Sequence, residues 1–266
     1  MKQRISIIIP AHNEEENLPI LIPRLQKMIR KNKLNAEIII VDDNSTDSTP
    51  VLCDRFSKKY KNIKTIHRKS NPGMGFALRE GTKASKGDII IWTMADLTDD
   101  LKTIPKFIEK IKSGADMVFG SRYMKGGSAG DLSLLKRFVS WGFTFASRTF
   151  IGIKVHDITN AFRAFRKEVF FAVEPEAGDF AISPEFALKA HLKGFILSEV
   201  PTVYKDRKKG TTKFKMFLMS KRYFWVFFWL SLKNSDQSRI DIFDFFIQST
   251  PPISFCNGFS VFSYFI

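Results

Sequence analysis

Apolar residues in the first 120 positions follow two alternating patterns. Residues 5–10, 37–41 and 88–93 are short runs dominated by Ile and Val, 37–41 as in a buried strand, and 63–67 and 116–120 read as two further strands. Between the first two runs the spacing becomes helical: Leu18, Leu21, Ile22, Leu25, Met28 and Ile29 recur every three or four residues within 14–31. Further helices are predicted from a cap at Thr46 or Asp47 to about Tyr60, over 75–85 and over 101–112. Strand and helix alternating in units of about 30 residues predict an α/β fold with a largely parallel sheet.

In such a sheet the ligand lies beyond the carboxyl ends of the strands. Those ends are Pro10-Ala11-His12-Asn13-Glu14, Asp42-Asp43-Asn44-Ser45, Met94-Ala95-Asp96 and Gly120-Ser121-Arg122, and three of the four carry carboxylates. Carboxylates at adjacent strand ends accept hydrogen bonds from a base or ribose, or hold a divalent metal on a diphosphate. A lone Asp in such a place is usually a helix cap, but four loaded ends are harder to explain as caps. Arg68, Arg79 and Arg122 are candidates to neutralise phosphates.

The chain has 266 residues, 44% hydrophobic and 26% charged, which excludes disorder along its whole length. Two cysteines, Cys53 and Cys256, are too few for a disulfide framework or a zinc site, and fit a reducing compartment. The amino-terminal apolar run is too short for a signal peptide and meets Glu14-Glu15-Glu16 at once. A net charge of +15 points to polyanionic partners, and the excess is local. Between Pro201 and Lys233 nine Lys/Arg stand against the single acid Asp206, interleaved with Phe214, Phe217, Phe224, Trp225, Phe227, Phe228 and Trp229. The longest uncharged run there spans ten residues, about half of what a membrane-crossing helix needs. Residues 213–233 therefore predict a basic amphipathic helix lying in a membrane interface, and 134–150, with Phe138, Trp141, Phe143 and Phe145 beside Lys136, Arg137 and Arg148, predict a second. Nucleic acid is the competing partner of a basic aromatic protein, but aromatics packed against one another suit lipid better, and no nucleic acid is expected. Residues 234–266 hold seven Phe and no clear period, and no structure is assigned to them.

Weaker motifs carry little. Gly73-Met74-Gly75 lacks the rest of a dinucleotide fingerprint and reads as a turn before a helix. Gly126-Gly127-Ser128-Ala129-Gly130 spells a nucleophile elbow, but no hydrophobic strand precedes it. His156 beside Asp157 reads as structural.

Taken together, residues 4 to 215 resemble the family 2 glycosyltransferases, in the branch like dolichyl-phosphate mannose synthase. The resemblance rests on Ile7-Ile8-Ile9-Pro10-Ala11-His12-Asn13-Glu14, on Val41-Asp42-Asp43-Asn44-Ser45-Thr46-Asp47 and on Asn71-Pro72-Gly73-Met74-Gly75. Gly120-Ser121-Arg122-Tyr123, Asp157-Ile158-Thr159-Asn160-Ala161-Phe162-Arg163 and the stretch from Arg207 to Lys213 complete it. It implies a GT-A fold over residues 1–212, a nucleoside-diphosphate-sugar donor, Mg²⁺ or Mn²⁺, and a polyprenyl-phosphate acceptor at the cytoplasmic face of a membrane, with the protein attached peripherally. Pro10, Ala11, Glu14, Asp42, Asp43 and Gly75 are then expected at the nucleotide-sugar, and Asp96 at the metal. The family's metal motif is usually Asp-x-Asp, and here its first position is Met94. A phosphate acceptor is already an anion at neutral pH and needs cationic clamping rather than a base, with Arg122, Arg137, Arg207 and Lys213 as candidates. Glu185, at a helix start, is a candidate to orient the acceptor. The alternative acceptor is a sugar hydroxyl, as in surface-polysaccharide or glycolipid synthesis, for which Asp157 or Glu185 would serve as base.

Overall fold

The computed structural model describes residues 4–130 and 132–205. The expected helix over 213–233, the tail beyond it, Arg207 and Lys213 lie outside the described residues. Seven strands form one sheet: β1 (Ile5–Ala11), β2 (Ala36–Asp43), β3 (Ile63–Arg68), β4 (Ile89–Trp92), β5 (Met117–Ser121), β6 (Arg163–Arg166) and β7 (Leu197–Pro201). Their order is β3-β2-β1-β4-β6-β5-β7, parallel except for β6, which runs antiparallel to both β4 and β5. The helices are α1 (Leu18–Lys31), α2 (Thr49–Lys59), α3 (Met74–Ala84), α4 (Ile104–Lys112), α5 (Leu134–Ile151), α6 (Lys167–Val173) and α7 (Ile182–Leu192). Two predicted helices start later than their apolar spacing suggests. Glu15-Glu16-Asn17 form a turn ahead of α1, and a 3-10 turn over Leu101–Thr103 precedes α4.

The sheet is sandwiched between two helical layers. Ile7 and Ile9 of β1 face the core shared with α1 and α4, while Ile8 faces the one shared with α3 and α7. This strict alternation, with every β1 and β2 residue buried, is why both strands read as unbroken apolar runs. Trp92 anchors the second layer. Its ring meets Phe165 edge-on at 5.1 Å and lies 5.4 Å from Phe186.

The chain leaves β1 towards β2 and β3, then returns to place β4 on the other side of β1. That reversal opens a crevice above the carboxyl ends of β1 and β4, the place where a doubly wound sheet accepts its ligand.

Candidate active site

The ends of β1 and β2 are tied together by backbone and short polar side chains. His12 Nδ1 donates to the Asp43 carbonyl at 2.7 Å, and the Asn13 and Glu14 amides donate to Ser45 Oγ and Thr49 Oγ1. Asn13 and Asn44 both adopt left-handed backbone (φ 55° and 57°), which their short amide side chains tolerate well. Pro10 and Ala11 are buried at the crevice floor, and Glu14 is buried and accepts from Asn17 Nδ2 at 2.6 Å.

Asp42 and Asp43 part company, because successive strand residues face opposite sides of the sheet. Asp43 faces the α3 side. It pairs with Arg68 and accepts from the Gly73 amide at 2.6 Å, and burial nonetheless pushes its carboxyl above the ordinary range. Asp42 faces the α2 side, where it accepts from His67 Nδ1 at 2.9 Å and from the Ser45 amide. The two aspartates expected together at the nucleotide thus face different helical layers and have different partners. Arg68 and Arg79 are likewise not free for phosphate. Arg68 is spent on Asp43, Glu80 and Ser70, and Arg79 donates to the Glu176 carbonyl.

His67 is bracketed by carboxylates, with Nε2 3.0 Å from Asp54 Oδ1, and hydrogen bonds to Asp42 and Asp54 raise its pKa above the ordinary 6.5. The folded state therefore binds this proton more tightly than the unfolded chain does. The stabilisation is complete below about 6.5, the unfolded value, and is lost as pH rises through the raised folded value. His67→Gln should accordingly flatten the decline of Tm between pH 6 and pH 9, most clearly as a difference from the wild-type curve. Parallel curves for the two proteins would show that the bracket carries no proton. Cys53, close by, is buried, and its thiol is pushed up to about 12 by burial and by the charges of Asp42, Asp54 and Asp47, so it is inert.

At the end of β4 the chain turns through Leu97, which holds left-handed backbone (φ 66°) at a cost of about 1–3 kcal/mol. Its side chain packs on the core, which offsets that cost and fixes the turn. Asp96 Oδ1 accepts from Thr98 Oγ1 at 2.7 Å and from the Thr98 amide. Asp99 Oδ2 accepts from the Met94 amide at 2.8 Å and from Thr93 Oγ1. Burial pushes the Asp99 carboxyl up to about 7, and the neighbouring Asp96 charge adds to the rise. Met94 packs against the second-layer core, so its thioether replaces a would-be carboxylate with an apolar contact.

Among the described residues no three His, Cys, Asp or Glu side chains gather around a common centre. The donors do fit a hard divalent ion that takes most of its ligands from phosphate and water. Each of Asp96 and Asp99 has one oxygen fixed by the turn and a second, Oδ2 and Oδ1 respectively, with no hydrogen bond among the described residues.

The end of β5 carries Arg122, whose Nε and Nη2 clasp Asp157 at 2.6 and 2.9 Å while Nη2 also reaches Thr159. Asp157 is fully buried and accepts from the Arg122 amide as well. A carboxylate so saturated is a brace for the arginine. The Arg122 charge partly offsets the rise at Asp99. Arg137, on the first turns of α5, donates to the Gly130 carbonyl, and the adjacent Ser140 hydroxyl meets Tyr123 Oη.

Glu185 does not enter the crevice. It is buried at the start of α7 and accepts from the Glu176 and Ala177 amides. Gly75 is buried in the first turn of α3, where a side chain would collide with the Ala177 carbonyl. Ser128 makes a bridge to Val203, not a strand-to-helix elbow, and His156 pairs with Glu199. Lys205, the last described residue, donates its amide to the Thr98 carbonyl at 3.1 Å, so the basic segment begins against the Asp96 turn.

A doubly wound sheet with carboxylates gathered above its switch point is the GT-A class of architecture. The family model for glycosyl transferase family 2 matches residues 6–172, and the chain belongs to that family. Dolichol-phosphate mannosyltransferase of Pyrococcus furiosus is 36% identical over 80% of this chain, which spans 59% of that relative's length. Polyprenol monophosphomannose synthase of Mycolicibacterium smegmatis is 30% identical over 79% of this chain and 81% of the relative. Among solved structures, glucosyl-3-phosphoglycerate synthase from Mycobacterium tuberculosis with Mn²⁺, UDP and phosphoglyceric acid superposes with a TM-score of 0.67, at 16% identity, over 86% of this chain and 78% of that one. The same enzyme with Mg²⁺ and UDP gives 0.67 at 15% identity, over 86% and 79%. At such identity these structures establish the GT-A fold.

Proposed function

We propose that this protein transfers a sugar, with inversion, from a nucleoside diphosphate to a polyprenyl phosphate at a membrane surface. The names of the two relatives support the acceptor class, and α5 supports the surface. Leu134, Phe138, Trp141 and Phe145 lie along one stripe of α5 and are exposed, Phe138 to 70%, while Ser140, Thr144 and Ser147 are its buried face. Phe143 packs on the second-layer core and Ile151 is buried, but the other aromatics of the helix point outward, and this outward stripe is the observation that carries the proposal. Lys136 and Arg148 flank it, an arrangement suited to anionic headgroups. Among the described residues no helix is long and apolar enough to cross a membrane.

Pro10, Ala11, Glu14 and Asp43 would hold the nucleoside, and Asp96 with Asp99 would hold Mg²⁺ or Mn²⁺ on the diphosphate. Bound there, a divalent ion supplies charge neutralisation for the leaving group. Arg122, kept rigid by Asp157, and Arg137 would clamp the acceptor phosphate, joined by Arg207 and Lys213 from the segment that starts at Lys205. One acceptor oxygen then forms the new bond to the anomeric carbon as the bond to the diphosphate breaks, the electron pair leaving with the nucleoside diphosphate. A hydroxyl acceptor would need a base, and the two carboxylates considered for that role, Asp157 and Glu185, are buried and hydrogen-bonded throughout.

A thermal-shift panel of GDP, UDP and their sugars with Mg²⁺ or Mn²⁺ tests the donor half. One nucleotide series should raise Tm in a metal-dependent way, and a flat panel would remove the donor assignment. For the surface, Phe138→Ser/Trp141→Ser/Phe145→Ser should lower co-sedimentation with anionic vesicles by about tenfold or more, since each aromatic contributes about a kcal/mol or more when buried in the interface. Unchanged co-sedimentation would take α5 out of the membrane contact.

A further inference from the structure

We propose that Glu185 is a positioning residue for the nucleoside end of the crevice, acting through residues 174–179 and the first turn of α3. It rests on the assignment of Asp43 to the donor nucleoside made above. Glu185 is 4% exposed and accepts from the Glu176 amide at 2.9 Å with Oε1 and from the Ala177 amide at 2.8 Å with Oε2. Lys189 Nζ lies 2.7 Å from Oε1, so the carboxylate is paired and held in place from its own helix. Two consecutive amides on the two oxygens of one buried carboxylate fix the backbone they belong to in both position and direction.

That backbone rests directly on α3. The Gly178 carbonyl accepts from the Phe76 amide at 3.2 Å, and Arg79 of α3 donates to the Glu176 carbonyl at 2.8 Å. No side chain separates the two segments, because a Cβ on Gly73 would strike the Gly178 carbonyl and one on Gly75 the Ala177 carbonyl. The start of α3 in turn holds Asp43 by two routes. The Gly73 amide donates to Asp43 Oδ2 at 2.6 Å. The Phe76 ring, which packs on Gly178, lies under the Arg68 guanidinium at 5.3 Å, and Arg68 pairs with Asp43 Oδ1. Glu185, the 176–178 backbone, the α3 amino end and Asp43 therefore form one mechanical unit. Removing the carboxylate leaves these two part-buried amides without their acceptor and lets the segment lift. The Gly73 amide and Phe76 then no longer aim Asp43. Donor binding should suffer while the acceptor side, built on β5 and α5, does not.

The test is calorimetric binding of GDP and of UDP, each with Mg²⁺, to the full chain and its variants, with KM for a short water-soluble prenyl phosphate as the control. For whichever nucleotide the wild type binds, Glu185→Ala should weaken binding about tenfold, the size expected when a buried hydrogen-bonded anchor is lost. Glu185→Gln, which keeps one acceptor, should fall between, and it carries the comparison if the alanine variant does not fold. In an Asp43→Asn background the Glu185 substitution should have little further effect on binding. Such coupling marks residues that act as a unit, whereas a carboxylate that merely supports the fold would lower Tm and leave the two losses additive. Wild-type nucleotide affinity in both Glu185 variants, additive losses, or a rise in acceptor KM in place of the donor effect would overturn the proposal. If the wild type binds neither GDP nor UDP, the assignment of the crevice to a nucleoside fails, and this proposal with it.

Discussion

Asp96→Ala is expected to lower turnover by about 10²–10³-fold while leaving Tm within a degree or two of the wild type, since electrostatic stabilisation of a leaving diphosphate contributes on that scale. Asp96 is the carboxylate that remains where the first position of the motif is Met94, and one of its oxygens is aimed by Thr98. The remaining donor, Asp99, is itself fixed by the Met94 amide and Thr93 and is held near neutrality, pushed up to about 7. Burial, the larger cause of that rise, persists when the Asp96 charge is gone, so Asp99 replaces Asp96 poorly. Raising Mn²⁺ to millimolar levels should recover part of the lost rate, because the substitution removes a ligand and not the phosphates. Near-normal turnover in the variant would take Asp96 out of the metal site and leave the contact to Asp99 or Asp100.

Asp157→Ala should be the most destabilising single change in the crevice. It leaves Arg122, whose side chain is only 9% exposed, buried without its counter-charge. Breaking one partner of such a pair costs about 3–5 kcal/mol, which corresponds to a fall in Tm of about 10 °C in a domain of this size. The paired replacement Arg122→Met/Asp157→Leu should be milder than Asp157→Ala alone, because it leaves no orphaned charge. A shift below about 2 °C in Asp157→Ala would mean that water reaches the fork and shares the load. Acceptor use should fall in both variants, and only the single variant should lose stability heavily.

The elements legible in the sequence are those whose residues carry their own period. The parallel strands β1 to β5 appear as apolar runs, and α1 as a stripe, because burial on two faces or one face imposes those spacings. β6 is four residues with an arginine at each end, and nothing local says that Arg163 is fully buried. Its guanidinium is accommodated by the faces of Phe119 and Trp92 and by the carbonyls of Ser183 and Asn160, all supplied by tertiary structure. β7 joins the far edge beside β5, a placement that no spacing encodes.

The crevice shows the same division. Its four strand ends were readable, as was the pairing of aromatics with basic residues on α5. The partners of those residues were not. Arg122 and Asp157 are 35 residues apart, and Arg68 is taken by Asp43 from a neighbouring strand. Adjacent residues in a strand point to opposite faces, so the sequence alone sends Asp42 and Asp43 towards different helical layers. The outward exposure of Phe138, Trp141 and Phe145 depends on what packs beneath α5, and the spacing of its aromatics alone is equally that of a core-facing helix.

Product analysis tests the central claim most directly. The full chain would be incubated with GDP- and UDP-sugars, Mg²⁺ and a short-chain polyprenyl phosphate, with the corresponding prenol and a free oligosaccharide as parallel acceptors, and the products read by mass spectrometry and the anomeric proton coupling. The account predicts one glycosyl phosphoprenol, formed only from the phosphorylated acceptor and inverted at the anomeric carbon relative to the donor. Transfer to the oligosaccharide hydroxyl with none to the prenyl phosphate, or release of free sugar alone, would contradict it.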